Sequence, residues 1–316
     1  MRKIQKQIIL LLFLALLCIA VFLMYNLGGS WEFALRFRSM KIGAMTIVAG
    51  CVAYSTVAFQ TLTNNRILTP SIMGFEAVYM LLQTLLVFIF GSQTAAVVND
   101  PMNFILSIFL MIGFAFLLYL LIYKREVNNM YLLLLIGLVL GILFNGLSSF
   151  LQLLIDPNNF FIVQGKMFAS FNNINQELMG YSAGILVLAL GLGFRYTPRL
   201  DVISLGRNQA INLGLNYNKN VQLFLVLVAI MVSVSTALVG PVLFLGLLVS
   251  NLTYEICKTY RHDIIILACT LVTIIVLVGG QFLAEQVFEL STPISIIINF
   301  VGGVYFLYLL LTKERL

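Results

Sequence analysis

The chain has 316 residues, of which 61% are apolar and only 9% charged, and its net charge is +6. An ordinary soluble domain is roughly a quarter charged, and no soluble exterior can be built from so few polar side chains. A water-soluble enzyme and a disordered chain are excluded, whereas crossings of about 20 apolar residues each leave room for a helical membrane bundle with short loops.

Met1 to Gln7 is short and basic, and the apolar run from Ile8 to Leu27 is too long for a signal-peptide core and lacks a small-residue cleavage site behind it. It predicts a first span that is retained. Further apolar runs lie near 42–62, 72–91, 103–123, 130–154, 176–194, 220–239, 242–257, 264–283 and 294–312. The expected architecture is all-α: one transmembrane domain over 1–316, a polytopic bundle of about ten helices with both termini cytoplasmic. The break between spans seven and eight is placed at Val239-Gly240-Pro241, although membrane helices tolerate Gly and Pro. With a cytoplasmic N-terminus, 14 of the 18 basic residues fall inside, including Arg66, Lys124, Arg125, Arg195, Lys313 and Arg315. Arg36, Arg38, Lys41 and Lys166 fall outside, a split that obeys the positive-inside rule. Two connections are longer than the others: an outer loop from Asp156 to Gln176 and an inner loop from Arg195 to Lys219.

The residues leave little room for catalysis. Cys18, Cys51, Cys257 and Cys269 lie in or beside apolar runs without CxxC spacing and read as buried hydrophobes. Gly180 to Gly184 spells GxSxG, but the single histidine, His262, belongs to the opposite side of the membrane from Ser182, roughly 20 Å of helix rise away. Small-residue helix packing, as also at Gly137 and Gly141, is the plainer reading. No phosphate-binding GxxxxGK[ST] loop and no His-based metal motif is present, so the chain is not expected to hydrolyse ATP or to hold a metal. Glu76 and Glu255 sit near the inner surface and read as interfacial anchors. A proton-coupled carrier calls for a deeper ionisable residue.

Within the inner loop, Leu205-Gly206-Arg207-Asn208-Gln209-Ala210-Ile211-Asn212-Leu213-Gly214 describes a short amphipathic helix between two glycines, suited to gripping a cytoplasmic partner. Its Leu-Gly-x-x-x-Ala-x-x-Leu-Gly pattern resembles the coupling-helix motif of the FecCD family, the iron-siderophore and cobalamin permeases of ABC importers. Other segments agree in order. Arg38-Ser39-Met40-Lys41 resembles the family's Arg-x-Pro-Arg, and Gln60 with Asn64 to Gly74 resembles its Gln…Arg-Asn-Pro-Leu-Ala-x-Pro-x-x-Leu-Gly. Gly240 to Leu247 resembles Gly-Pro-Ile-x-Phe-Val-Gly-Leu, and Pro293, Gly302 and Tyr305 to Leu310 keep the terminal pattern. The Thr63 to Ser71 stretch is most similar to Gram-positive permeases for catecholate or petrobactin-type ferric siderophores. The family's Pro-His is Ser250-Asn251 here, its Asp-x-x-x-Arg falls on Gln281 and Glu285, its late Glu on Ser291, its terminal Pro on Val304, and the Pro of Asn-Pro-Leu on Arg66.

The resemblance implies a multi-pass permease of the cytoplasmic membrane that passes an iron-siderophore complex inward. The permease is not itself an enzyme. A separate ATPase dimer, which holds the ATP and Mg, drives it, and a substrate-binding lipoprotein feeds it; no cofactor belongs to this chain and no nucleic acid is a partner. A second permease completes the pathway, and the lost intramembrane charges suit a heterodimer. Leu205, Gly206, Ala210, Leu213 and Gly214, within a coupling helix at about 203–214, would engage the ATPase; Asn65 and Ile67 would form the cytoplasmic gate; Arg38 and Lys41 would dock the binding protein. Asn145, Ser148, Ser149 and Gln152 in span five and Ser295 and Asn299 in span ten supply polar groups for a pathway, or for helix–helix hydrogen bonds. An ion-coupled secondary transporter is the alternative.

Overall fold

The structure is a computed structural model that describes residues 2–26, 31–91, 100–123, 130–172, 174–289 and 292–312. Lys124, Arg125, Lys313, Arg315 and Ser291 lie outside the described residues. The described chain is all-helical: α1 (Arg2–Met24), α2 (Trp31–Thr63), a 3-10 turn (Pro70–Met73), α3 (Phe75–Phe90), α4 (Asp100–Tyr123), α5 (Met130–Leu154), α6 (Pro157–Lys166), α7 (Gln176–Ile203), α8 (Arg207–Asn212), α9 (Tyr217–Val239), α10 (Leu245–Ile256), α11 (His262–Gln286) and α12 (Ile294–Thr312).

Each of the ten apolar runs corresponds to a helix, but they are not equal crossings. Seven, α1, α2, α4, α5, α7, α9 and α11, are long and apolar enough to span a membrane. Helices α3 and α12 are shorter, and α10 has 12 residues, about 18 Å of rise. The shortfall at α3 and α10 has one cause. Residues 64–74 and 240–244 are largely non-helical and take up part of the depth. Non-helical backbone at that depth needs partners. The Gln60 amide and the Asn251 amide both donate to the Arg66 carbonyl, at 2.6 and 3.2 Å, and the Phe244 N–H donates to Asn299 Oδ1 at 3.4 Å. The break after α9 is therefore real, and Gly240 makes it: its φ of +97° is open to glycine, and a Cβ there would meet Ala169 Cα at 3.2 Å.

α2 is the hub. Its residues from Ala44 to Thr63 are almost all buried, with α7, α9 and α11 packed around it. The apolar stretch of α2 is mostly buried, whereas that of α1 is mostly exposed, so α1 lies at the periphery. Large apolar side chains are exposed along α1, α4, α5 and α7, the faces a membrane bundle turns to lipid or to another subunit.

Both longer connections are more helical than the sequence predicts. The outer one contains α6, started by Pro157 and capped by Asp156, whose carboxylate accepts the Asn158 N–H at 2.8 Å. In the inner one, α7 continues through Pro198 to Ile203.

Cross-links fix which helix ends lie together. At one end the Gln7 amide donates to the Ile256 carbonyl at 2.7 Å, Gln60 reaches Ser250 and His262 reaches Asp201. At the other, Arg38 reaches the end of α1 and Lys41 reaches the end of α11. The first end carries Lys3, Lys6, Arg66, Arg195, Arg207 and Lys258, and the positive-inside rule makes it cytoplasmic.

Candidate functional site

The cytoplasmic end begins with the α7–α9 connection. Gly206, at φ +95°, turns the chain after α7, and α8 follows for six residues. Its backbone is closed by Gly214 N–H donating to Ile211 O and Leu215 N–H to Ala210 O, at 2.9 and 3.0 Å. The short helix has two faces. Ala210 is fully buried against the bundle, whereas Leu205, Ile211 and Leu213 are 55%, 49% and 65% exposed. A small side chain seats the turn, and three aliphatic side chains project from it. Such a knob fits a groove on another protein.

Beside it lies a cleft of about 670 Å³, lined by Gln60, Thr61, Asn65, Arg66, Tyr254 and His262 among others. Asn65 holds its loop, since its side-chain Oδ1 accepts the Ile67 N–H at 2.9 Å. Ile67 is half-buried next to it. Arg66 points its guanidinium over the Tyr254 ring at 4.6 Å. Gln60 Nε2 also donates to Ser250 Oγ at 2.9 Å. Ser250 and Asn251, which depart from the family pattern, thus anchor α10 to this loop.

His262 joins three helices in the same cleft. Its backbone N–H donates to Asp201 Oδ1 at 2.9 Å, its Nδ1 lies 2.6 Å from that oxygen, and its Nε2 lies 2.8 Å from Thr61 Oγ1. Asp201 is two residues from the end of α7, and Thr61 is four residues before Asn65. Hydroxyl, imidazole and carboxylate stand in the order of a hydrolytic triad. However, the Thr61 hydroxyl also donates to the Val57 carbonyl at 2.8 Å and is almost fully buried. The arrangement works as a brace. Ser182, the GxSxG serine, is buried with its Oγ unpartnered, so it has no base. A Cβ added at Gly180 or Gly184 meets nothing within 4 Å, so no helix of this chain packs closely on these two glycines. Gly137 and Gly141 are one: a Cβ on either would stand about 3.0 to 3.1 Å from Met73 or Gly74 backbone.

At the outer end both expected docking cations are occupied inside the chain. Arg38 Nη1 donates to the carbonyls of Phe22, Leu23 and Tyr25 at 3.0, 3.2 and 2.6 Å, and so caps α1. Lys41 is 4% exposed and donates to Glu285 Oε1 at 2.6 Å and Asn172 Oδ1 at 2.8 Å. Gln281 donates to the same two acceptors, at 2.7 and 3.1 Å. Arg36 is the exposed cation of this segment.

The six polar residues of α5 and α12 do not form one surface. Asn145 and Ser149 are exposed on α5. Ser148 is buried, and Gln152 donates to Thr84 Oγ1 of α3 at 3.3 Å. Ser295 is buried, and Asn299 accepts from Phe244. Sequence reasoning also missed two residues. It placed Glu76 as an interfacial anchor, yet Glu76 is 8% exposed and accepts from Ser71 Oγ at 2.9 Å. It counted the family's intramembrane charges as lost, yet Glu285 is ion-paired. Spacing from Gln281 to Glu285, one helical turn, was the available signal.

Residues 8–312 match the model of the FecCD transport family. The chain is 52% identical over 311 residues, 98% of each protein, to the petrobactin import system permease protein YclO of Bacillus subtilis (strain 168). It is 36% identical over 279 residues, 88% of this chain and 79% of the relative, to the petrobactin import system permease protein FatC of Bacillus anthracis. Among solved structures, one described as an inward-facing metal-chelate type ABC transporter superposes with a TM-score of 0.85 at 23% identity, covering 98% of this chain and 100% of the other.

Proposed function

The chain belongs to the FecCD transport family, and we propose that it is the membrane-spanning permease of an ABC importer for a ferric siderophore of the petrobactin kind. The observation that carries the reading is the α8 knob, Leu205, Ile211 and Leu213 exposed around a buried Ala210, at the cytoplasmic end of a bundle similar over 98% of its length to a petrobactin permease. The chain is a multi-pass membrane protein and not itself an enzyme.

A ferric siderophore is bulky and polar and cannot cross about 30 Å of hydrocarbon unaided. In this reading the ATPase dimer, which holds ATP and Mg, grips α8 through Leu205, Gly206, Leu213 and Gly214. Closure of the ATPase displaces α7. The Asp201–His262–Thr61 brace passes the shift to α2 and α11, and through α2 to the Asn65–Ile67 gate. Interfaces that switch between two packings turn small shifts into changes of access. Asn145 and Ser149, exposed on α5, belong to the pathway shared with a second permease, while Ser148, Gln152, Ser295 and Asn299 hold the helices that frame it. Arg38 and Lys41 shape the outer surface on which the substrate-binding lipoprotein docks, and Arg36 supplies its exposed charge. The buried Lys41–Glu285 pair supports a permease that keeps its own charge balance, so a paralogous partner fits as well as an identical one.

The test is purification of the tagged chain from its own membrane in mild detergent, with mass spectrometry of what accompanies it. An ATP-binding-cassette subunit is expected, with a second permease of similar size if the pathway is heterodimeric. A chain that emerges alone from several detergents contradicts the reading.

A further inference from the structure

Where the two non-helical segments meet, a partly open cavity of about 30 Å³ is lined by α2, the 3-10 turn, the start of α3, the end of α9 and the 240–246 segment. That is room for about one or two water-sized occupants. Its polar lining is Glu76 with the hydroxyl-bearing Ser55, Thr56, Thr69, Ser71, Ser235 and Thr236. No lysine or arginine lines it. Glu76 Oε1 accepts from Ser71, but Oε2 is buried and has no partner. The hydroxyl protons of Ser55 and Ser235 are already committed to their own helices, on the carbonyls of Val52 and Val232 at 3.2 and 3.0 Å. Their oxygens therefore face the cavity as acceptors. A buried carboxylate beside two hydroxyl oxygens held as acceptors, with no cation of the protein's own, lacks a positive occupant, and an uncompensated buried carboxylate is costly.

We propose that Glu76 and the surrounding hydroxyls bind a monovalent cation of sodium size, which ties the 3-10 turn and the start of α3 to α2 and to the end of α9. Oxygen donors suit a hard cation. One carboxylate balances a single charge, and no group of three or more His, Cys, Asp or Glu side chains stands together among the described residues, as a divalent site would favour. Interrupted helices with unwound backbone are places where membrane proteins hold such ions. The proposal goes beyond the import reading, because the site is lined by residues of this chain and calls on neither cargo nor ATPase.

The full chain is purified in mild detergent, and its Tm is measured with increasing NaCl, KCl or choline chloride at constant ionic strength. An ion that binds only the folded chain raises Tm with concentration. The expected result is a saturating rise in sodium that choline does not reproduce, that is lost in Glu76→Gln, and that needs more sodium in Ser235→Ala. The Ser235→Ala variant retains the carboxylate, so it reads the site if Glu76→Gln fails to fold. Equal Tm in all three salts overturns the proposal, and so does a sodium effect that persists undiminished in Glu76→Gln or Ser235→Ala. A Glu76→Gln variant as stable as wild type in every salt identifies Glu76 as a neutral, protonated side chain and also overturns it.

Discussion

His262 Nδ1 stands 2.6 Å from Asp201 Oδ1, and through that contact the end of the helix leading to the coupling turn is tied to the start of α11. The opposite ring nitrogen reaches Thr61, four residues before the gate loop. If the brace carries motion, Asp201→Asn should loosen coupling without dismantling the bundle. A coupling free energy of about 1–3 kcal/mol corresponds to a roughly 5- to 150-fold loss. Uptake per ATP hydrolysed, measured in the reconstituted complex, should fall within that range while hydrolysis continues. An unchanged ratio would remove the brace from the mechanism.

The two faces of α8 separate docking from folding. Leu213→Asp alters a side chain that is 65% exposed, so Tm and membrane level should stay near wild type while the ATPase is lost from the purified complex. Ala210→Asp places a charge at a fully buried position, and should lower Tm and expression before any question of docking arises. Equal ATPase retention in Leu213→Asp contradicts the assignment.

Lys41 and Glu285 form a buried pair, so removing one partner costs more than removing both. Glu285→Leu should destabilise by about 3–5 kcal/mol, and Lys41→Met with Glu285→Leu should recover much of that loss. Thermal unfolding of the single and double variants checks the cycle. Additive losses would mean that the two side chains do not interact.

Gly141→Leu should disturb the gate loop, because even a Cβ there stands 3.1 Å from Gly74 Cα. Overpacking of this kind costs about 1–3 kcal/mol. Gly146→Leu, on the same helix with nothing within 4 Å of its Cβ position, is the control and should leave Tm unchanged. The comparison is read by Tm and by protease sensitivity of the 64–69 loop.

Much of the fold was legible because it rests on one-dimensional signals. Apolar run length located every spanning helix, basic residues oriented them, and Gly206 and Gly214 bracketed α8. What stayed hidden depends on which face a residue turns inward. Arg38 and Lys41 read as free outer cations, but one caps α1 and the other meets Glu285, a partner 244 residues away. Ser148 and Gln152 share a face as their spacing requires, yet that face packs on α3, as Thr84 shows. Glu76 read as an interfacial anchor because sequence shows depth along a span, not the small cavity that forms where two helices are interrupted.

The central claim, ATP-driven import of a ferric siderophore, is tested most directly by uptake of radio-iron-labelled siderophore in cells lacking the chain and complemented with wild type or Leu213→Asp. The account predicts that wild type restores uptake that vanadate inhibits and that Leu213→Asp, at equal membrane level, does not. Uptake that survives vanadate and collapses with an ionophore would contradict it and make the chain an ion-coupled carrier.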